Sequence, residues 1–259
     1  MNPHIHLDHT PILKQSSLPK TGGGYALVLL SGQHIDQILS LQDTVFDTLS
    51  AEEQGFLLKK NRAFFENHFS NGNAVLGIVH GGHLIAQSII VHPTSKNPKT
   101  GMVDMTLNAP TDKITLLQGI IVHPDYQGNR LMTVMVDAWL TLAKEQRRTH
   151  ALAEVAVGNV YSWSVFLREG LHIHSLGRDT ADGTQVYNIH ARVAPLIQKR
   201  LRPDFNKASS KRSVQCPQVD LERQRKILAN GYRGVKFNAA DGSIEFQPFK
   251  RKPRAPGAG

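Results

Sequence analysis

The sequence predicts an α/β protein built on a mixed sheet with helices on both faces. Three observations lead there. Apolar segments of strand length and of helical periodicity follow one another in the order β, α, α, β, β, β, α, β, α, β, β. That alternation is too irregular for a doubly wound parallel sheet, and no Gly-x-Gly-x-x-Gly run follows the first strand, which argues against a dinucleotide fold. A chain of 259 residues, 40% of them hydrophobic, also suffices for one sizeable core with an appendage, or for two small domains.

Each element has a local reason. Residues 1–24 show no periodic apolar pattern and end in Gly22-Gly23-Gly24, so they read as a flexible leader. Residues 25–30 are a short apolar run closed by Ser31-Gly32, a buried strand. Ile35, Ile38, Leu39, Leu41, Val45, Phe46 and Leu49 recur at helical spacing. Ser50 ahead of Glu52 and Glu53 signals a second helix, carrying Phe56, Leu57, Phe64, Phe65 and Phe69. Residues 75–80 and 84–92 are strands joined through Gly81-Gly82-His83. Residues 114–122 are apolar throughout, as in a strand covered on both faces. After the turn His123–Gly128 a strongly apolar helix runs from about Asn129 to Glu145. A strand at 151–157 and a short helix at 161–169 follow. Strands at 171–176 and 185–193, joined through residues 180–183, complete the set.

Charge divides the chain unevenly. Residues 195–259 hold 15 Lys and Arg against 5 Asp and Glu, a net +10, while residues 1–194 sum to −1. Within this basic segment Asp220 caps a helix that Asn230-Gly231 ends. Residues 235–237 and 244–246 flank Ala239–Gly242 as a β-hairpin. The last ten residues, KRKPRAPGAG, read as disordered. The expected division is thus a leader (1–24), a central domain (25–193) and a basic extension (194–259). No run is apolar enough to cross a bilayer, and the N-terminus lacks the basic and apolar regions of a secretion signal. A single cysteine, Cys216, excludes an intramolecular disulfide. A soluble cytoplasmic protein with no membrane partner is the expectation.

The most informative stretch is residues 120–132, IIVHPDYQGNRLM. A strand ends, Pro124 stops further pairing, and a polar turn containing Gly128 leads straight into a helix. Unpaired N–H groups at a helix's positive end then gather around one point, which suits a pyrophosphate. An ordinary strand–turn–helix gives the same pattern. A second segment narrows the choice: Asn159, Ser162, Phe166, Gly170 and Leu171 occur as N-x-x-S-x-x-x-F-x-x-x-G-L.

Together the two segments resemble the GNAT superfamily of acyl-CoA-dependent N-acetyltransferases. Its acyl-CoA loop typically reads V-x-P-x-Y-[RQ]-G-x-G-[LI]-[GA] and its next helix N-x-x-[AS]-x-x-x-Y-x-x-x-G-F. The resemblance spans about residues 25–193. It implies the acyl-CoA N-acyltransferase fold: a mixed, mostly antiparallel sheet flanked by helices, here with a small α+β extension. It implies acetyl-CoA as co-substrate and no metal. Ile120, Ile121 and Val122 would offer strand backbone to the pantetheine arm where the strand parts from its neighbour at a bulge. Gln127, Gly128, Asn129, Arg130, Leu131 and Met132 would form the pyrophosphate loop, and Asn159 would hydrogen-bond the pantetheine. Arg130 and Met132 replace small residues of the family loop; Arg130 either adds a phosphate contact or crowds the site. Phe166, counted with the cofactor site, stands where the family often has the Tyr that protonates the departing thiolate. Ser162 or Ser164 would then substitute, or solvent or backbone would assist.

Direct transfer needs a neutral amine and a group to take its proton. Gln118 cannot serve. Glu154, His80, His92 and His123 lie on or near strand ends, with Glu154 the favoured base, although a structural role is open to each. His4, His6 and His9 lie in the leader without a Cys or a paired cluster, so they do not make a metal site. His172 and His174 alternate and share one strand face, lining either an acceptor pocket or a solvated edge. Trp139 reads as core, and Cys216 has no catalytic partner nearby. Residues 220–234 resemble a C-terminal segment of some bacterial acetyltransferases and would fold over the core or form a homodimer contact. Two functions are therefore carried forward. One is transfer of an acyl group from acyl-CoA to a primary amine in a ternary complex. The other is a catalytically weak acyl-CoA-binding module whose basic tail binds nucleic acid or another polyanion.

Overall fold

The computed structural model describes residues 4–5, 7, 10–96, 107, 109–179, 182–202, 205 and 212–249. Its sheet has eleven strands, taken here in chain order: β1 (Ile12–Ser17), β2 (Gly24–Leu30), β3 (Ala74–His80), β4 (His83–Val91), β5 (Ile114–Val122), β6 (His150–Ala156), β7 (His172–Arg178), β8 (Gln185–Arg192), β9 (Val214–Pro217), β10 (Tyr232–Asn238) and β11 (Ser243–Pro248). Across the sheet they run β1-β2-β3-β4-β5-β6-β8-β7-β10-β11-β9. Every neighbouring pair is antiparallel except β5 and β6, so the expected mixed, mostly antiparallel architecture is present.

Among the described residues seven α-helices accompany the sheet: α1 (Ile35–Phe46), α2 (Ala51–Gln54), α3 (Arg62–Ser70), α4 (Leu131–Glu145), α5 (Val160–Arg168), α6 (Val193–Arg200) and α7 (Leu221–Ala229). Strand periodicity sorts side chains to two cores. Ala26, Val28 and Leu30 pack under α1 and α3, whereas Tyr25 and Leu27 join the opposite cluster, which holds Trp139 of α4 and Trp163 of α5. Burial on both faces is why these strands read as continuous apolar runs rather than alternating ones.

Four differences from the sequence reading have local causes. Part of the supposed flexible leader is strand β1, whose six residues are all exposed; backbone pairing with β2 holds it, and a strand wetted on both faces leaves no apolar period. The single helix expected after Ser50 is two. Ser50 and Glu53 form a capping box for α2, which ends at Gly55, and Asn61 restarts the chain by accepting from Phe64 N–H at 2.9 Å. Helix α6 went unread because Pro195 lies in it; in a first turn Pro removes no intrahelical bond. Strand β9 is only four residues long.

The anticipated helix and hairpin of the basic extension are present as α7, β10 and β11. They do not stand apart as a separate unit. β10 adds to the β7 edge at Gly234↔Ile173, where a Cβ on Gly234 would sit 3.0 Å from the Ile173 side chain. Cys216, Leu228, Ile244 and Phe246 belong to the same apolar cluster as Trp163 and Tyr187. The turn positions Thr180 and Ala181, His6 and His9, and the C-terminal KRKPRAPGAG lie outside the described residues. Among the described residues no helix is long and apolar enough to cross a membrane.

Candidate active site

The site begins where β5 and β6 part. They pair in parallel only from Ile114↔His150 to Leu117↔Ala153, although β5 continues to Val122 and β6 to Ala156. On its other edge β5 stays paired with β4 as far as Val122↔Ala86. The register shift lies between Ile89↔Gly119 and Ile90↔Leu117, which makes the exposed Gln118 the extra residue of a bulge. A bulge increases local twist and bends its strand, which turns the end of β5 away from β6. The backbone edge of β5 facing β6 is thereby left open.

Past β5 the chain makes a short 3-10 turn (Pro124–Tyr126) and enters α4 through Gly128 at φ +82° and Arg130 at φ +58°. Two left-handed residues so close together point successive amides the same way. No described group accepts from the N–H of any residue between Gly128 and Thr133. Six consecutive donors at the positive end of a 15-residue helix are an arrangement suited to an anion. The amides open onto a cleft of about 360 Å³ whose far wall comes from α1, α2 and the chain after them, at Val45, Leu49, Glu53, Phe56 and Leu57.

Most of the residues singled out in the sequence meet here. Ile120, Ile121, Val122, Gln127, Gly128, Arg130, Leu131, Met132, Asn159 and Ser162 all line the cleft. Asn129 is absent from the lining. Its side chain is 2% exposed and turned inward: Oδ1 accepts from Lys20 N–H at 2.7 Å and Thr21 N–H at 3.2 Å, and Nδ2 donates to the Tyr126 carbonyl at 3.0 Å. Asn159 caps α5, accepting from Ser162 N–H at 3.1 Å, while its Nδ2 makes no bond among the described residues. Phe166 does not reach the cleft; it is 1% exposed within the main core. Ser164 is absent from the lining too, its hydroxyl donating to the Tyr161 carbonyl at 3.1 Å. Glu154 follows the last β5–β6 pair by one residue and lies opposite Asn188 of β8, at the apex of the divergence rather than in the cleft wall.

The histidine candidates separate by position. His92 neighbours Thr115, at the start of β5 and far along the strand from the loop. Thr115 Oγ1 accepts from Trp139 Nε1 at 2.9 Å and lies 3.2 Å from His92 Nδ1. Burial pushes His92 down to about 3, with Arg148 and His68 adding to the effect. His123 accepts from Asp125 N–H at 3.3 Å in the 3-10 turn, and His80 Nδ1 lies 2.7 Å from the Gly24 carbonyl. Their rings flank Tyr126.

Three residues at the site escaped the sequence reading, two of them in the cleft lining. Tyr161, 71% exposed, and Arg168 lie on α5 seven residues apart, on the helix face that Val165 also shares. Lys20 had no such signal: it comes from the β1–β2 turn, and its Nζ donates to the Gln127 carbonyl at 3.5 Å while its side chain crosses Gly128. Behind the loop, Thr133 Oγ1 donates to Glu169 Oε1 at 2.8 Å, and Arg200 joins Glu169 (2.6 Å) to Asp137. Burial raises the Asp137 pKa although Arg200 opposes it. This network ties α4, α5 and α6 together beneath the amides.

The fold that carries this cleft is similar to that of solved proteins. The GNAT domain of PAT from S. lividans is 18% identical, with a TM-score of 0.50 over 69% of this chain and 96% of that one. A putative acetyltransferase from Salmonella typhimurium, solved with its cofactor acetyl-CoA, is 11% identical, with a TM-score of 0.49 over 65% of this chain and 94% of that one. An N-acetyltransferase from Staphylococcus aureus Mu50 is 10% identical, with a TM-score of 0.49 over 65% and 98%. Among curated protein sequences none matches. Residues 39–171 match the model of the acetyltransferase (GNAT) family, and the chain belongs to that family.

Proposed function

We propose that this protein is an N-acetyltransferase that moves an acetyl or other short acyl group from acyl-CoA to a primary amine by direct attack within a ternary complex. The observation that carries the proposal is the run of six unpartnered amides, Gly128 to Thr133, beside the open edge of β5. Bound acyl-CoA supplies the thioester. The amides would hold its diphosphate, with Arg130, Arg168 and Lys20 adding charge at the rim. The exposed β5 backbone at 120–122 and the Asn159 amide nitrogen would order the pantetheine arm, strand against strand. Glu154, at the apex, would take the amine's proton directly or through water. Ser162, which lines the cleft, is better placed than Ser164 to return a proton to the departing sulfur.

Purified protein mixed with acetyl-CoA and a panel of primary amines should release free thiol, and calorimetry should register CoA binding. Replacing Arg130 by Gly should raise the KM for acetyl-CoA about tenfold, the weight of one charge-assisted contact. The same change should leave the melting temperature equal or higher, because the left-handed strain of a side-chain-bearing residue is relieved. Absence of CoA binding would end the proposal.

A further inference from the structure

Away from the cleft, the sheet carries a cluster of imidazoles that the proposed transfer does not use. His172 and His174 of β7 and His190 of β8 each present a nitrogen, and the three atoms lie within 4.8 Å of one another. The pairing explains the convergence. His172 is directly opposite His190, and the β7–β8 register shifts between Ile173 and Ser175, leaving His174 as the extra residue of a bulge. A bulge re-aims a side chain, here toward the neighbouring pair.

We infer that His172, His174 and His190 form a site for a divalent transition-metal ion of the zinc class. His190 Nδ1 and His172 Nε2 are 3.4 Å apart, and two nitrogens about 2.0–2.1 Å from a tetrahedral zinc lie about 3.4 Å from each other. The third donor comes from His174, whose Nδ1 is shielded from solvent without a hydrogen-bond partner among the described residues. An all-imidazole set suits zinc, nickel, cobalt or copper, and lacks the oxygen ligands that magnesium and calcium require. Burial keeps all three rings neutral near pH 7, so their lone pairs are available: His190 is pushed down to about 3, His174 to about 4, and His172 well below its ordinary range.

The neighbours define what binding would disturb. Arg192 Nη1 donates to His150 Nε2 at 2.8 Å, so His150 presents its Nδ1–H to His190 Nε2 at 2.9 Å. A metal on His190 Nδ1 needs the proton on Nε2, which reverses that bond and releases Arg192 from His150. Arg192 is exposed and can swing into water. Arg233 also acts on His174 and His190, and its charge opposes a cation there.

Full-length protein stripped with a chelator and titrated with Zn²⁺ should take up one ion by calorimetry, and Co²⁺ should give the visible bands of a tetrahedral complex. His174→Ala, at a half-buried position, should weaken Zn²⁺ at least as much as loss of an outer-shell partner does, about 10–100-fold. Arg192→Gln should tighten it several-fold by freeing the His150 chain. Combined His4→Ala, His6→Ala and His9→Ala substitutions should leave the stoichiometry unchanged. Thermal melts in chelator would establish that each variant is folded. No stoichiometric uptake, an affinity indifferent to His174→Ala, or loss of the ion with the leader histidines would overturn the inference.

Discussion

At the scale of single residues, burial rather than charge decides the behaviour of the histidines. His92 is 5% exposed, and its folded pKa is about 3 against an ordinary 6.5. Below about 6.5 the unfolded chain takes a proton that the folded chain refuses until about pH 3, so the unfolded state binds more protons through that window. The resulting contribution to stability is complete above 6.5 and is lost progressively as the pH falls toward 3. For this residue the loss between pH 6.5 and 5.5 is about 1 kcal/mol. Urea unfolding across that range should show the decline, and His92→Gln should reduce its slope, with the remainder carried by other buried histidines such as His174 and His190. An equal slope in the variant would contradict the assignment. The left-handed Arg130 shows the complementary case, in which a locally unfavourable conformation, costing about 1–2 kcal/mol, is held because the surrounding turn requires it.

At the scale of elements, the loop between β5 and α4 depends on a partner distant in sequence. Asn129 anchors the β1–β2 turn through two accepted bonds and fixes its own loop through one donated bond. Removing that side chain leaves two partly buried N–H groups without an acceptor. Asn129→Ala should therefore cost about 2–4 kcal/mol and accelerate hydrogen exchange at Lys20 and Thr21. Asn129→Asp, which keeps the acceptor, should restore most of both. If exchange at those two amides is unchanged in Asn129→Ala, the leader is not held in this way. The β5 bulge works similarly: one extra residue, Gln118, determines where pairing with β6 stops and so where the cleft begins.

At the scale of the whole molecule, the C-terminal segment completes the core instead of hanging from it. Tyr187 donates to the fully buried Gln224 at 2.8 Å, and Phe237 meets Trp163 at a ring separation of 4.8 Å. Phe246 is fully buried although it lies 75 residues beyond the matched family region. Phe246→Ala should lower stability by about 3–5 kcal/mol, as for any large ring removed from a packed interior. A melt within 1 °C of the parent would show that the extension folds separately.

The sequence by itself determined most of the order of elements and the strand–turn–helix that carries the proposed phosphate loop, because both are local. Strand runs, the Pro124–Gly128 turn and the N-x-x-S start of α5 are written in consecutive residues whose backbone preferences need no distant partner. The same locality made the α7 cap at Asp220 and the β10–β11 turn legible. Phe166 shows the limit: the motif put it with the cofactor site, yet it is buried in the core, because which face of α5 meets the sheet is not written in the motif. Asn129, Lys20 and the His172–His174–His190 group show it further. Asn129 and Lys20 are brought together by the β1–β2 hairpin, and the histidines by a bulge between two strands. The expectation of no metal considered only the histidines adjacent in sequence, at positions 4, 6 and 9. Spacing along the chain related His172 to His174, but only tertiary structure brought His190 to that pair and Lys20 to Asn129, since strand register places side by side residues far apart in sequence.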